Sequence, residues 1–394
     1  MPLAHPLTQP FNLPVSPLVA AWLAAGLVVA IALARPEPRR PASERPVPPV
    51  ASWMGSLSWL EWASRLVALV LLALAVAAGR LGRNDELENL APALVVGAGW
   101  PLLVLATVAF GPVWRWLDPW DTLARAFDQP ELEVERRSVW PAAAVALPWV
   151  WYLSAYTDTL EPRSVGTLLA LYTVFTLAGC LALGRQRWLA TTEPLGIFLS
   201  SLALVPRGRL ADWEPPRGAD ALLGVLAGGV LFGAARRSEL WGGLNTADHA
   251  LLLATLGVLG SSAAGVLVLS WMRAVSRPSA RGAGARAAVP AVAGIVVAVA
   301  MDRNRLFTSL QLLPDLLGDP FGRGWDFFGR AGANLDPEPF GVRGLLYAQL
   351  AVLLAGHVAG AAVLASRVPR RARLPLAAGL AVLAYASVLA IASH

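Results

Sequence analysis

The amino-acid sequence predicts an all-α, polytopic transmembrane helical bundle of about ten spans, organised as one integral membrane domain over residues 1–394. Three observations support this fold class. Of the 394 residues, 56% are hydrophobic and only 15% are charged, whereas soluble domains carry about 25% charged residues. Apolar runs long enough to cross about 30 Å of hydrocarbon recur along the chain. All 32 cationic side chains are arginines, and they concentrate in alternate connections between those runs.

Ten apolar segments are predicted to cross the membrane, and the sixth and eighth are short for this role. They are residues 17–34, 66–79, 90–110, 139–156, 165–183, 221–235, 250–272, 287–301, 344–365 and 374–393. Before the second segment, a stretch with Trp53, Trp59 and Trp62 predicts an interfacial helix. Pro194–Val205 is too short to cross, so it predicts a helix that lies in the interface or re-enters the membrane.

The arginines predict which side of the membrane each connection faces. From the first tail to the last, the connections hold 0, 5, 2, 4, 1, 5, 2, 4, 5, 4 and 0 arginines. The positive-inside rule places arginine-rich loops in the cytoplasm, so both termini are expected to be extracytoplasmic. The long eighth-to-ninth connection departs from the alternation, because acidic residues are mixed with its arginines. The absence of Lys indicates a GC-rich genome, so we expect a bacterial plasma (inner) membrane.

Composition also limits the partners and cofactors. The net charge of +6 is explained by arginines beside an anionic lipid leaflet, and no basic run with interleaved aromatics predicts nucleic-acid binding. The single cysteine, Cys180, excludes an intramolecular disulfide and a thiolate metal cluster. The expected partner is the lipid bilayer, with a membrane-protein partner or a homo-oligomer contacted through small-residue helix faces. Such faces occur as three G-x-x-x-G pairs, for which ordinary helix packing is the simpler interpretation: Gly224/Gly228, Gly229/Gly233 and Gly356/Gly360.

A polar, aromatic-rich loop after the eighth span carries the first candidate site. Asp319, Arg323 and Asp326 would form a polar site at the membrane face, with Trp325 and Phe327 covering it. A carboxylate–Arg pair with aromatic walls suits an amphipathic ligand. The simpler interpretation is an interfacial belt of Trp and Arg, with Asp-Pro starting a turn. A similar loop, residues 111–122, lies on the predicted cytoplasmic side.

His357 is the sharpest single candidate, because it lies near the middle of the ninth span. Ionisable groups within a membrane are costly and usually functional, although a neutral His hydrogen-bonded to a neighbouring helix is the structural alternative. We therefore group His357 with Asp319, Arg323 and Asp326 as candidate catalytic residues. The chain has four histidines and neither H-E-x-x-H nor H-x-H, so the cofactor is unknown and a divalent metal has weak support.

Several motifs resemble a bacterial multi-pass membrane family labelled fenitrothion hydrolase. They are Gly-Arg-Gly-Trp-Asp at 322–326, Gly-His-Val-Ala-Gly at 356–360, Gly-Trp-Pro-Leu at 99–102, Asp-Pro-Trp at 118–120 and Pro-Leu-Gly-Ile-Phe-Leu at 194–199. The resemblance covers residues 91–364 and implies hydrolysis of a phosphotriester, chemistry that commonly uses a metal-activated water. The family pattern has histidines in the eighth span and after the 356–360 motif. This chain lacks them, which implies a divergent, catalytically degenerate member.

Three functions stay open on this basis. A hydrolase-like enzyme of that type would bring the four candidate residues into one pocket. A non-catalytic subunit of a bacterial membrane complex would expose a small-residue helix face. A transporter of a hydrophobic solute would hold a cavity near the midplane, lined by broken helices such as the short sixth and eighth spans.

Overall fold

The computed structural model covers the whole chain. It describes residues 14–34, 58–127, 138–206, 208–238, 241–242, 249–276, 280, 282–301, 303–329, 335–336 and 341–393. Trp53 lies outside the described residues. Within the described ranges all regular structure is helical, and the single β-type contact is a bridge between Ser138 and Arg217. The predicted all-α class is confirmed.

Fifteen helices make up the described part of the chain. They are α1 (Pro17–Ala34), α2 (Ser58–Leu81), α3 (Pro92–Phe110), α4 (Trp114–Leu117), α5 (Pro119–Ala124), α6 (Trp140–Ser154), α7 (Pro162–Leu183), α8 (Arg185–Thr191), α9 (Pro194–Leu202), α10 (Ala219–Ala235), α11 (Ala250–Ala274), α12 (Ala283–Ala300), α13 (Thr308–Gly318), α14 (Gly341–Arg367) and α15 (Arg370–Ala392). Eight of them are long and apolar enough to cross a membrane: α1, α2, α3, α7, α11, α12, α14 and α15.

The fourth and sixth predicted spans correspond to the shorter helices α6 and α10. Their 15 and 17 residues give lengths of about 23 and 26 Å. At the start of α6, Val139 N donates to Arg217 O at 2.8 Å, just before α10 begins. Where both helices end, the Arg236 guanidinium donates to Ala155 O at 2.8 Å. Both helices therefore run between the same two ends of the bundle.

Loop contacts divide the bundle into two ends. At the arginine-rich end, Arg65 and Arg185 both pair with Asp121. At the opposite end, Arg83 N donates to Phe321 O at 3.0 Å. Counted by sequence between the predicted spans, 22 of the 32 arginines fall in the connections predicted to be cytoplasmic and ten in the other connections, whereas the 26 acidic residues divide equally. The net charges are thus +9 and −3.

The outward faces of the long helices are apolar. Trp22 in α1, Leu171 in α7 and Leu252 in α11 each expose more than half of their surface. The backbone N–H and C=O groups of these segments are hydrogen-bonded within each helix, as the interior of a bilayer requires. The protein is a polytopic helical bundle whose surface fits a lipid environment.

Glycines set the closest helix contacts. A Cβ at Gly224 would lie 2.5 Å from Val266 N, and one at Gly228 would lie 1.9 Å from Ser261 O, so α10 packs backbone-to-backbone against α11. A Cβ at Gly356 would lie 2.4 Å from Pro290 O in α12. The interpretation of these motifs as helix packing is confirmed, and these small-residue faces are occupied within the chain.

Two short elements differ, wholly or in part, from their sequence predictions. Trp59 and Trp62 do not form a separate interfacial helix, because α2 runs unbroken from Ser58 through the second span. The apolar side chains at the start of α2 belong to the same lipid-facing surface as those of the second span. For α9 the sequence left two placements open, in the interface or re-entering the membrane. Phe198 and Leu202 are buried and the helix packs against α3, α6 and α12, which contradicts the interfacial placement only.

Candidate functional site

Asp319 organises an exposed turn at the opposite end of the bundle. Its carboxylate accepts backbone N–H groups from Arg323 at 2.9 Å, Gly324 at 2.6 Å and Trp325 at 3.1 Å. The Arg323 guanidinium lies 5.6 Å from the ring centre of Phe321 and 5.9 Å from that of Trp325. The structure thus brings Asp319 and Arg323 together, and Asp326 follows in the same loop. The Asp319 carboxylate is engaged in shaping that loop.

His357 lies elsewhere, fully buried in the middle of α14. Its Nδ1 is 2.9 Å from Leu353 O in its own helix, and its Nε2 has no hydrogen-bond partner among the described residues. Sixteen residues of helix separate it from Gly341, which is about 24 Å of helix axis. The structure does not bring His357 to the Asp319 turn. None of the four predicted residues lines the cavity described next.

An apolar cavity of about 190 Å³ lies inside the bundle. Its walls come from α3, α5, α6, α7, α9, α10 and α12 and are almost entirely apolar. Helices α7 and α10 contribute residues from their middle turns, Leu169 and Tyr172 from α7 and Leu226 and Val230 from α10. The cavity therefore lies near the middle of the bundle, where a bilayer has its hydrocarbon core.

Several of the wall helices are irregular, and the irregular positions of α3 and α6 lie at or beside residues that line the cavity. Residues Pro92–Gly99 of α3 form a π-helix, a rare conformation that often occurs at functional sites. Pro148 lies inside α6 and Pro290 inside α12; each removes an intrahelical hydrogen bond. In addition, α9 has only nine residues. The cavity is thus bounded by helices whose regular α-helical hydrogen bonding is locally interrupted.

Aromatic rings form the wall nearest the arginine-rich end. The Tyr172 ring meets Trp120 edge to face, with centroids 5.0 Å apart, and meets Trp149 in the same manner at 5.2 Å. Trp120 Nε1 donates to Thr173 Oγ1 at 3.1 Å, which fixes its orientation. Edge-to-face pairs of this kind stabilise packing by roughly 0.5–1.5 kcal/mol beyond burial. We call Trp120, Trp149 and Tyr172 the aromatic wall.

Two buried carboxyl groups, those of Asp118 and Glu193, lie behind the aromatic wall. The Tyr172 hydroxyl donates to Glu193 Oε1 at 2.7 Å, so its ring faces the cavity while its oxygen faces the acid. Asp118 accepts the backbone N–H groups of Trp120 and Asp121, both at 2.9 Å, and thereby caps α5. Glu193 caps α9 in the same way. In both cases a proline follows the acid at the first helical position, where it is well tolerated.

The two carboxyl groups influence each other's protonation. Burial raises the pKa of Asp118 to about 7, and the charge of Glu193 adds to this effect. Burial also raises the pKa of Glu193, against the hydrogen bonds from Tyr172 and the backbone. Within the described part of the chain, neither carboxyl group forms an ion pair with an arginine. The pair is therefore suited to holding a proton near neutral pH.

Asp121, three residues after Asp118, has the contrasting environment. Burial raises its pKa, but hydrogen bonds from Arg65, Arg125 and Arg185 outweigh burial and lower the pKa below its ordinary value. The Arg65 side chain is only 3% exposed and lies 3.0 Å from the Asp121 carboxylate. At neutral pH Asp121 is therefore ionised, whereas the Asp118 carboxyl is about half protonated.

A buried donor adjoins Glu193. Trp114 Nε1 has no hydrogen-bond partner among the described residues. A Cβ placed on Gly196 would lie 2.6 Å from Glu193 Oε2 and 3.0 Å from Trp114 Nε1, so both groups crowd the same glycine. Only glycine at 196 leaves space for the acid and the indole together.

The sequence did not predict this site, although Asp118-Pro-Trp and Pro194 lie within the motifs described above. The available signal was the repeated acid-proline dipeptide before a short helix, which predicts an N-cap. Among the described residues no group of three or more His, Cys, Asp and Glu is arranged to hold a metal ion. Comparisons with protein-family models, with curated proteins and with solved structures each give no match to this chain.

Proposed function

We propose that this protein is a membrane carrier for a small apolar or amphipathic solute, which binds in the central cavity. The observation that carries the proposal is an apolar space of about 190 Å³ lined by seven helices. Engineered apolar cavities of about 150 Å³ stay dry and bind benzene. The space therefore has the size and the chemistry for a substituted benzene or a short branched hydrocarbon.

Interrupted helices support a carrier more than a rigid scaffold. Transporters place their sites near the bilayer midplane beside discontinuous helices. Here the π-helical segment of α3 and the nine-residue helix α9 line the cavity, and Pro148 of α6 lies beside the lining residue Trp149. Bends and kinks develop at such positions, so the wall has points about which it can open toward either end.

We also infer the orientation of the chain in a bacterial plasma membrane. The arginine-rich end faces the cytoplasm, because positive loops are retained there. The net charges of +9 and −3 on the two ends support this direction. Helix α1 begins and α15 finishes at the opposite end, so both termini are extracytoplasmic.

Binding of a neutral probe tests the carrier proposal. Neopentylbenzene is titrated into the protein in lipid nanodiscs by calorimetry, with empty nanodiscs as the blank. We expect saturable binding that Leu169→Trp weakens at least about tenfold, a loss of roughly 1.4 kcal/mol, because Leu169 lines the cavity. The matched control is Leu171→Trp on the same helix, whose side chain is 62% exposed. Heat identical to that of empty nanodiscs would refute the proposal.

The resemblance to the fenitrothion hydrolase family gives a second candidate, an esterase-type hydrolase. It is favoured by one observation: two buried acids with raised pKa values adjoin an apolar cavity, as general acid–base chemistry on an apolar ester requires. Release of nitrophenol from an aryl phosphotriester is the assay. Loss of turnover in Asp118→Asn would favour this candidate at the cavity, whereas loss in His357→Ala would favour the site predicted from sequence.

A further inference from the structure

Within the proposed carrier, the aromatic wall and the acids behind it point to a charged solute. Three aromatic side chains present π systems to one end of the cavity. Two carboxyl groups lie directly behind that wall, joined to it by the Tyr172–Glu193 hydrogen bond of 2.7 Å. A purely neutral solute needs neither acid, since apolar burial alone would hold it.

We propose that the solute is a lipophilic monocation, held against the aromatic wall and exchanged for one proton on the Asp118–Glu193 pair. This inference rests on the proposed carrier function and names its substrate class. An organic cation over a Trp or Tyr face is attracted by the ring quadrupole, by roughly 2 kcal/mol or more when water is excluded. The apolar remainder of the cavity accommodates the hydrocarbon groups of the cation.

The charge balance explains the need for a proton. An ionised carboxylate without a counter-charge is costly in a low-dielectric interior. Glu193 is only 1% exposed and Asp118 is 8% exposed. When the cavity is empty, a proton on the pair neutralises one carboxyl group. When a monocation enters, that proton leaves and the cation supplies the compensating charge, so the total charge of the site does not change.

The other charged and titratable groups near the pair do not take up the exchanged proton. They are Tyr172 and Cys180 from α7, Asp121 from α5, Arg125 directly after α5, Arg185 from α8 and Arg65 from α2. The three arginines converge on Asp121. The Tyr172 hydroxyl donates to Glu193. The proton therefore resides on Asp118 or Glu193, whichever microstate is favoured.

An isosteric ligand pair tests the inference. Benzyltrimethylammonium and neopentylbenzene have the same shape and differ by one positive charge. Both are titrated by calorimetry into the protein in nanodiscs at pH 6 and pH 8. We expect the cation to bind at least about tenfold more tightly than the neutral ligand at pH 8. The affinity for the cation is expected to be lower at pH 6, and below the pKa of the pair it falls by about tenfold per pH unit. The affinity for the neutral ligand is expected to be the same at both pH values.

Acid-to-amide variants locate the effect. Asp118→Asn retains an N-cap for α5, since Asn caps as well as Asp, and Glu193→Gln is the second variant. Each is expected to reduce the cation preference at least about tenfold with neutral binding retained. The control, Asp158→Asn, changes an exposed acid at the opposite end. Proton release counted in buffers of different ionisation enthalpy needs no variant, and one proton per cation is expected.

The outcomes separate the two proposals. Neutral binding without a cation preference, or cation binding without proton release, would overturn the exchange inference and leave the carrier proposal standing. Absence of binding by both ligands would overturn both. A cation preference that survives in Asp118→Asn and in Glu193→Gln would likewise contradict the assignment to this pair.

Discussion

At the scale of single residues, the site depends on how the fold treats neighbouring acids. Asp118 and Asp121 are separated by fewer than one helical turn. Three arginines converge on Asp121, whereas Asp118 is buried against Glu193. Position in sequence predicted neither charge state, because Arg65 and Arg185 are more than 50 residues from Asp121, and Glu193 is as distant from Asp118. Only Arg125 is a near neighbour of Asp121 in the sequence. The acid-proline dipeptides predicted the helix N-caps but not the protonation states of the two acids.

Asp118 makes the stability of the wild-type protein depend on pH. Its pKa rises from 3.8 to about 7 on folding, so the folded state holds the proton more tightly than the unfolded state. The resulting stabilisation is complete below about pH 4 and is lost as the pH rises through about 7. Asp118→Asn removes this dependence. At each pH the quantity compared is the melting temperature of Asp118→Asn minus that of the wild type. We expect this difference to be at least about 2 °C larger at pH 8 than at pH 5.

Scanning fluorimetry in detergent measures this difference at the two pH values. Because the two carboxyl groups influence each other's protonation, the comparison reports how the titration of the pair changes when Asp118 can no longer ionise. Equal melting shifts at pH 5 and pH 8 would contradict the raised pKa of Asp118.

Arg65 carries a structural prediction at the same scale. Its side chain is 3% exposed and contacts Asp121, Thr122 and the carbonyl of Arg115. Arg65→Ala removes the donor to Thr122 and to the Arg115 carbonyl, whereas Asp121 keeps Arg125 and Arg185. We therefore expect destabilisation of about 1–3 kcal/mol. Arg83→Ala is the matched control, because the Arg83–Glu88 pair is exposed and such pairs contribute at most about 1 kcal/mol. Thermal unfolding of both variants measures the contrast, and equal losses would contradict it.

At the scale of elements, hydropathy predicted the long helices well. The first span agrees with α1 at both ends, and the other nine correspond to helices whose bounds differ from the predicted ones by at most eight residues. Sequence did not predict the π-helical start of α3, where Gly97 lies against Ser309 of α13. For α9 it left two placements open, and only tertiary contacts exclude the interfacial one. Length distinguishes a short helix from a span, but tertiary contacts decide where it packs.

Glycine spacing supplies the prediction at this scale. Gly228→Ala places a methyl group 1.9 Å from Ser261 O, which forces α10 away from α11. We expect a loss of about 1–3 kcal/mol, measured as a lower melting temperature and lower recovery of folded protein. Gly260→Ala in α11 is the control, because nothing lies within 4 Å of a Cβ there. Equal tolerance of both substitutions would contradict the close α10–α11 contact.

At the scale of the whole molecule, charge and architecture agree. The alternation of arginines predicted ten crossings, and the two short helices α6 and α10 run end to end alongside eight long ones. Sequence could not place the four predicted site residues, because spacing along the chain carries no information about which helix faces converge. The cavity and its acids come from seven helices, and no local motif encodes that meeting.

Cysteine labelling tests the topology and the crossing by α6. In a Cys180→Ser background, Thr157→Cys and Ala126→Cys place exposed thiols on either side of α6. We expect a membrane-impermeant maleimide to label Thr157→Cys in intact cells, and Ala126→Cys only after permeabilisation. Labelling of both in intact cells would mean that α6 does not cross. The reversed pattern would contradict the proposed orientation.

The central claim is that a solute occupies the cavity beside the aromatic wall. The most direct measurement is a density map of the protein in nanodiscs with bromine-substituted neopentylbenzene bound. The account predicts bromine density inside the cavity, within van der Waals contact of Trp120, Trp149 or Tyr172, and its loss in Leu169→Trp. Bromine density confined to the lipid-facing surface, with an empty cavity, would contradict the account.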